Sequence, residues 1–381
     1  MRKVLLFHNI PAPYRLSLFR KLSEIYDLTV VFLQRREKGR LWKIDHQYLN
    51  FPHVFLNELS FSLFKKNLTV NHGISSLIKK ISPDVVIGPD NPPNFLAMLK
   101  VIRVCRKRRI PFLLWTGNFP GYKLGDNFIL KVGDKIIDWI RRFKLYPNAR
   151  SFMAYGREGS LYLNSTYKIN RDKIFVGTQG YPYEDLIPAN FQYKEEERKF
   201  VYNNNNIIYI GYLQSRKGIQ TLLKAAYSLK KERIKFKIQI IGEGETIIKK
   251  MIDEYSKKIN VVYLGYKEGR DKYTFLKKAK ILVLPTYKDP WGWVINEAMY
   301  LGVPVITTDK AMAKEMVIDG ENGYVVKAGN LQSLYLAIQK MLSMPEKEYL
   351  KFCERAFATA SNYGIHYSVN CFREALESIS R

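Results

Sequence analysis

With 381 residues, 46% of them apolar and 14% aromatic, the chain has material for about two packed domains. No apolar run approaches the ~20 residues a membrane helix needs, and residues 4–7 are too short for a signal-peptide core, so a cytoplasmic protein is expected; Cys105, Cys353 and Cys371 stand alone, without CxxC spacing, which speaks for a reducing compartment and against a zinc site or a disulfide framework. The net charge of +27, with 31 basic against 14 acidic residues over 1–185 and 31 against 21 over 186–381, draws the chain toward polyanions: nucleic acid, an anionic membrane or phosphorylated substrates.

Residues 3–8 (KVLLFH) read as a first strand and 14–26 as an amphipathic helix with Leu18, Phe19, Leu22 and Ile25 inward. The turn between them holds Asn9, Pro11, Tyr14 and Arg15. Its prolines stiffen it, and Arg15 at a helix start opposes the dipole unless an anion is close or the side chain points to water. Residues 28–33 form the next strand, and 61–68 (FSLFKKNL) set aromatics beside lysines. Strands are expected at 84–88, opening onto Pro89, Asp90 and Asn91, and at 112–116 (FLLWT), which runs into Gly117, Asn118 and on to Gly121; the helix between them ends in a basic run. Gly117 and Asn118 make a turn there or offer a donor and an acceptor. An amphipathic helix over 127–145 carries Phe128, Ile129, Val132, Ile136, Trp139, Ile140 and Phe143 as its apolar residues and Lys131, Lys135, Arg141, Arg142 and Lys144 as its basic ones. Such a helix lies on an anionic membrane, or covers the sheet with a solvated outer face. Strands follow at 151–155 and 174–177, so the alternation spells a doubly wound parallel sheet over a first domain at 1–185.

Residues 186–206, with three successive glutamates and the asparagine run 203–206, read as a polar linker to a second domain at 207–363. That domain opens with a strand at 207–210, followed by Gly211, Tyr212 and then Arg216, Lys217 and Gly218 at a helix start. Two cations in that position are either exposed, or sit beside a diphosphate. Strands at 238–244 and 261–265 lead to Tyr266 and Lys267. The stretch 283–307 (VLPTYKDPWGWVINEAMYLGVPVIT) reads as strand, loop, helix, strand, with Asp289, Gly292, Trp293 and Val294 at the loop–helix junction, where a parallel sheet binds ligands. Glu297 falls outside the helix's apolar stripe; it is a solvated carboxylate, or it faces a ligand diol. Three helices follow residue 331, and the last, near 368–379, is expected to return to the first domain.

Asp289 and Glu297, with P-W-G between them and E-A-M-x-x-G-x-P-V-I from Glu297 onward, resemble the acidic pair of family-4 retaining glycosyltransferases, the glycosyl transferases group 1. The resemblance implies the α/β GT-B fold, two Rossmann-like doubly wound domains facing a central cleft. By resemblance Asp289, an aspartate where the family has glutamate, contacts the transferred sugar, and Glu297 the nucleotide ribose. Gly292, Trp293, Val294, Gly211 and Tyr212 line the donor, and Tyr266 and Lys267 lie by its base. Lys217-Gly218 matches the family's phosphate clamp, but Tyr212 stands where the family has arginine, leaving Arg216 to supply that charge. Residues 315–324 resemble the family's terminal turn. In the first domain Asn9, Pro11, Tyr14, Arg15, Gly117 and Asn118 fall on the acceptor side of the cleft. No histidine stands after FLLWT, where the family has one: His8, His46, His53, His72 and His366 lie elsewhere.

No Asp-x-Asp occurs in the sequence, so the diphosphate's charge is expected to be met by Lys217, Arg216 and helix amides, with no metal and no cofactor. The expected function is metal-independent, retaining transfer of a sugar from a nucleotide-sugar donor to a glycan or lipid-linked acceptor, in cell-envelope polysaccharide synthesis or protein glycosylation, at the inner face of the cell membrane. A sugar-nucleotide epimerase or phosphorylase on the same fold is the alternative. A nucleic-acid-binding protein is the other, though the basic residues are spread over many elements and form no groove-sized helix.

Overall fold

The computed structural model describes residues 1–37, 48–63, 66–120, 128–187 and 191–379, which divide into two α/β units. The first comprises Met1–Pro182 with Ile365–Arg381. Its strands are β1 (Lys3–His8), β2 (Asp27–Phe32), β3 (His53–Phe55), a separate antiparallel ribbon of β4 (Glu58–Leu63) and β5 (Lys66–Asn71), then β6 (Val85–Pro89), β7 (Phe112–Thr116), β8 (Ser151–Ala154) and β9 (Ile174–Val176). Seven of them form one parallel sheet, in the order β3-β2-β1-β6-β7-β8-β9. Val4 and Leu6 pack on one face with Phe19, Leu22 and Trp115, while Leu5 and Phe7 pack on the other with Met98, Val101 and Phe152. A strand covered on both sides needs apolar residues at every position, hence the unbroken VLLF.

The helices of this unit are α1 (Pro13–Ile25), α2 (Ile74–Ile81), α3 (Phe95–Arg108), α4 (Phe128–Ile140) and α5 (Arg157–Tyr167). Pro13 sits at the first position of α1, where a missing N–H is harmless. Ile25, expected inward, ends the helix 42% exposed. The helix expected over 127–145 stops at Ile140 and continues as a π-helical turn, Arg141–Leu145. A π turn holds an extra residue and rotates the residues beyond it about the helix axis. Arg141, expected on the solvated basic face, lies about 200° around the helix from Trp139 and faces inward, 6% exposed, while Phe128, Ile136, Trp139 and Phe143 point outward. Phe64 and Lys65 of the expected aromatic-and-lysine segment, and also Gly121 and His46, lie outside the described residues.

The second unit is Tyr183–Gly364. It starts with α6 (Tyr183–Leu186) and α7 (Glu195–Tyr202), so the stretch expected as a linker belongs to this unit. Three glutamates in the first turn of α7 suit the positive end of the helix. The buried Arg198 then pins α7 down, donating to the carbonyls of Lys277 at 2.8 Å and Ala279 at 2.7 Å. Strands β10 (Asn206–Ile210), β11 (Lys237–Ile241), β12 (Val261–Tyr263), β13 (Ile281–Leu284), β14 (Val305–Thr308) and β15 (Gly323–Val326) form a parallel sheet, in the order β12-β11-β10-β13-β14-β15. Helices α8 (Ile219–Lys231), α9 (Thr246–Ser256), α10 (Gly269–Lys277), α11 (Trp293–Tyr300), α12 (Leu331–Ser343) and α13 (Glu346–Ser361) complete it, and α14 (Ile365–Glu377) packs on α1, β8 and β9 of the first unit. In each sheet the order reverses once, beside β1 and β6 in the first and β10 and β13 in the second. Loops at the carboxyl ends of those strands are where such sheets bind ligands.

Candidate active site

In the second unit the loops after β10 and β13 are pressed together. A Cβ on Gly218, whose φ is +70°, would stand 1.8 Å from the Pro285 carbonyl oxygen, so only glycine permits the approach. The Arg216 carbonyl accepts the Tyr287 N–H at 2.8 Å and the Thr286 hydroxyl at 3.1 Å, and the Arg216 guanidinium donates to the Lys288 carbonyl at 2.9 Å. These bonds fix Lys217, on the 3₁₀ turn Ser215–Lys217, with its Nζ donating to Asp289 Oδ2. Both side chains are mostly buried, at 13% and 8% exposure. The Asp289 N–H donates to the Lys310 carbonyl at 3.0 Å, and Oδ1 accepts the Trp291 N–H at 3.2 Å. An ammonium carries three donors. Among the described residues Asp289 engages one of those of Lys217, and the others are available.

Gly292, at φ +102°, starts α11 with no side-chain cap, so the helix presents its first amides beside Asp289, whose Cγ would lie 3.8 Å from a Cβ at 292. Glu297, one turn further, is 5% exposed. Its Oε1 accepts a hydrogen bond from Lys272 Nζ of α10 at 2.7 Å. Lys272 was not singled out by sequence: it lies 25 residues before Glu297 in an ordinary polar helix, and only the fold brings the pair together. Asn296 locks the helix start by accepting the Trp291 indole N–H at 2.8 Å. Trp293 and Val294 are half-buried in the first turn of α11.

Gly211 follows β10 directly, and its carbonyl oxygen would be 1.9 Å from a Cβ at Gly242, so the β10 and β11 exits are also in close contact. Tyr212, at the family's arginine position, has its hydroxyl buried without a partner among the described residues. The Tyr209 hydroxyl donates to the Tyr212 carbonyl at 3.0 Å. Burial, with the Asp289 charge nearby, raises the Tyr209 phenol well above its usual range. Tyr266 is 37% exposed and donates to Glu268 at 2.8 Å; Lys267 beside it is half-buried. The structure thus brings Arg216, Lys217, Asp289 and Gly292 together, with Glu297 on the same helix as Gly292.

The first unit treats its candidates differently. Arg15, expected to face an anion or water, is 2% exposed and donates to the Thr178 carbonyl and to Gln179 Oε1 at 2.9 Å, with its guanidinium 4.7 Å from the Trp115 ring centre. His8 lies between Phe19 and Trp115; burial, reinforced by the Arg15 charge, pushes its imidazole down to about 3. The Asn9 carbonyl accepts the Gln34 N–H at 2.8 Å, Pro11 is buried and Tyr14 half-buried. Asn118 is 4% exposed, with its N–H donating to Thr116 Oγ1 at 3.0 Å and Nδ2 to the Tyr146 hydroxyl at 3.2 Å. Gly117 faces the Tyr155 ring, which a Cβ would approach to 2.7 Å. Sequence reasoning gave Asp90 no role. Its carboxylate accepts the hydroxyls of Thr116 at 2.7 Å and Tyr146 at 2.8 Å, with Arg141 Nε 3.6 Å away. Burial, with the Asp90 charge, raises the Tyr146 phenol far above its usual range. Among the described residues no three His, Cys, Asp or Glu side chains gather as metal ligands, and no helix is long and apolar enough to cross a membrane.

Residues 192–358 match the family described as glycosyl transferases group 1. The capsular polysaccharide biosynthesis glycosyltransferase CapM of Staphylococcus aureus is 29% identical over 174 residues, 44% of this chain and 45% of that protein. The poly(glycerol-phosphate) alpha-glucosyltransferase of Bacillus subtilis (strain 168) is 33% identical over 159 residues, 41% of this chain and 23% of that protein. The chain therefore matches less than half the length of each of these two relatives. Among solved structures, a glycosyltransferase from Rickettsia africae ESF-5 superposes with a TM-score of 0.73 at 18% identity, covering 100% of this chain and 99% of that one. Anabaena Alr3699/HepE, solved in complex with UDP, gives 0.72 at 16% identity, with 99% and 100% covered. At these identities the likeness shows the fold: two Rossmann-like α/β domains, as in GT-B glycosyltransferases.

Proposed function

We propose, starting from the glycosyl transferases group 1 domain that residues 192–358 form, that the protein is a retaining, metal-independent glycosyltransferase using a nucleotide-sugar donor. The observation that carries the reading is Lys217: held against Asp289 at the exit of the β10/β13 switch, it keeps donors available beside the uncapped start of α11. A sugar nucleotide reacts by releasing a diphosphate, so the site must stabilise charge on the departing oxygens. Lys217, the amides of Trp293 and Val294, and Arg216 beside them are the positive partners. Glu297 receives the ribose hydroxyls, with Lys272 orienting its carboxylate. Asp289 positions the sugar and stabilises positive charge at its anomeric carbon. The bond from that carbon to the phosphate oxygen breaks, the acceptor hydroxyl oxygen bonds to the same face, and its proton passes to the departing diphosphate. Gly211 and Tyr212 flank the diphosphate, and Tyr266 and Lys267 the base.

The acceptor side falls to the first unit, where Asn9, Pro11 and Gly117 lie on strand-exit loops and Tyr14 in the first turn of α1. Arg15 and Asn118 are excepted, because both side chains are bonded within the unit. The relatives' printed names, a capsular polysaccharide enzyme and a poly(glycerol-phosphate) glucosyltransferase, favour a glycan acceptor in cell-envelope synthesis, and the basic first half of the chain suits a lipid-linked form of it at the inner face of the membrane. The test is a thermal-shift panel of nucleotide sugars followed by product analysis with and without EDTA. Ligand stabilisation follows affinity, so one donor should raise the midpoint in a concentration-dependent way. The reading fails if no nucleotide sugar does so, if the donor is epimerised with no acceptor present, or if EDTA abolishes transfer and Mn²⁺ or Mg²⁺ restores it.

A further inference from the structure

We infer that the outer face of the first unit formed by α2, α3 and α4 is a docking surface for an anionic lipid bilayer. This goes beyond the reaction above, uses the first unit alone and does not depend on the donor site. At 100° per residue, Phe128, Ile136 and Trp139 fall within about 80° of one another on α4. They are 80%, 44% and 50% exposed, and Phe143 extends the stripe across the π turn at 58%, its ring centre 6.1 Å from that of Trp139. A helix that only covered a sheet would turn these residues inward. Here Arg141 takes the inward place and the aromatics face solvent.

The stripe has a cationic border. Lys131 and Lys135 are exposed along α4, and Lys144 Nζ lies 5.3 Å from the Trp139 ring centre. Phe143 and Lys144 line one side of a groove of about 740 Å³ whose other side is Lys100, Arg103, Arg106 and Lys107 of α3. A second groove, about 710 Å³, continues the surface from Arg103, Lys107 and Arg108 to Lys79 of α2. Neither α2 nor α3 contains an acidic residue. Among the described residues Arg103, Arg106, Lys107 and Arg108 have no carboxylate partner; the acidic groups on α4 are Asp134 and Asp138, and Asp138 is engaged by Arg142 at 3.5 Å and by the Tyr167 hydroxyl at 2.7 Å.

Unpaired cations around exposed Trp and Phe match a bilayer edge, with phosphates above and acyl chains below. A nucleic acid would use the cations and leave Phe128 and Ile136 without a partner, so charge and apolarity together favour lipid.

The full chain is floated with phosphatidylcholine vesicles, with and without phosphatidylglycerol, at about 20 mM and about 0.5 M salt. Flotation is expected only with the anionic lipid at low salt, and is expected to fall at least about tenfold in W139S/F143S and in R103E/R106E/K107E. All five positions are exposed, so circular dichroism and thermal midpoint should match the wild type. Brominated acyl chains should quench the tryptophan emission of the wild type, and much less that of W139F, which should still bind. The proposal is overturned if the wild type does not float at low salt, if both variant sets float as the wild type does, if W139F is quenched equally, or if duplex or single-stranded nucleic acid binds more tightly than vesicles and W139S/F143S leaves that binding unchanged. Vesicle binding is read without a donor, so failure here is separate from failure of the transferase reading.

Discussion

Beyond β6, Asp90 accepts two hydroxyls and faces a buried arginine; beyond β13, Asp289 accepts one ammonium that has donors in reserve. Both carboxylates sit at strand exits beside the reversal of a parallel sheet, and both are less than a tenth exposed. The first is closed, since Thr116 and Tyr146 donate to Asp90, Asn118 donates to both of them and Arg141 donates to the Asp90 carbonyl, and the cluster braces the loops of its unit. The second is open-handed, an ion pair whose cation can share itself with another anion. A buried carboxylate held by several donors of its own unit rigidifies that unit, whereas a cation with spare donors can take on a second anion.

Replacing Lys217 with Ala should hit hardest at the open pair, lowering kcat/KM by about 10²–10³-fold, as loss of a donor to a leaving oxyanion does; steady-state kinetics reads this, and an effect under threefold would remove Lys217 from catalysis. Asp90→Ala should act on the closed cluster instead, costing about 3 kcal/mol in denaturant unfolding by leaving Arg141 buried without its carboxylate. If its stability stayed within 0.5 kcal/mol, roughly the effect of a surface change, the cluster would not brace the unit.

Acid should separate the units further. His8 is held down to about 3 in the folded state against about 6.5 unfolded, so between those values the unfolded chain binds the extra proton and stability falls as pH falls. From pH 6.5 to 5 the loss attributable to His8 should approach about 2 kcal/mol, and His8→Gln should flatten that slope; parallel slopes for both proteins would refute it. Glu297→Gln should raise the donor Kd about tenfold by calorimetry with kcat nearly unchanged, the mark of a contact made equally in ground and transition states. Lys272→Met, which frees the same carboxylate from its cation, should weaken donor binding least, about threefold, unless Lys272 itself touches the nucleotide.

Much of this was legible because parallel strands buried on both faces spell unbroken apolar runs such as KVLLFH and ILVL, and because a strand exit and a helix start mark their own loop. Lys217, Asp289, Gly292 and Glu297 lie at or just beyond such places, and it is the resemblance of the surrounding string, more than spacing, that singles them out. Lys272 and Asp90 gain meaning only from partners far along the chain, Glu297 for one and Tyr146 for the other, and no local periodicity encodes those meetings. Arg141 misled because an apolar stripe reads as the covered side of a helix; on α4 that stripe faces solvent, and Arg141, on the opposite side, meets Asp90. Residues 186–206 misled because polar composition resembles a linker, although Arg198 anchors the segment by long-range bonds to main-chain carbonyls.

The absent side chain at Gly218 sets a rule for anyone wishing to redesign this protein. A Cβ there would fall so close to the Pro285 carbonyl that a single methyl would wedge the two strand-exit loops apart and carry Lys217 away from Asp289. Libraries aimed at a new donor should therefore treat position 218 as fixed masonry, and diversify the rim at Tyr266 and Lys267, where side chains have room to change without moving a wall.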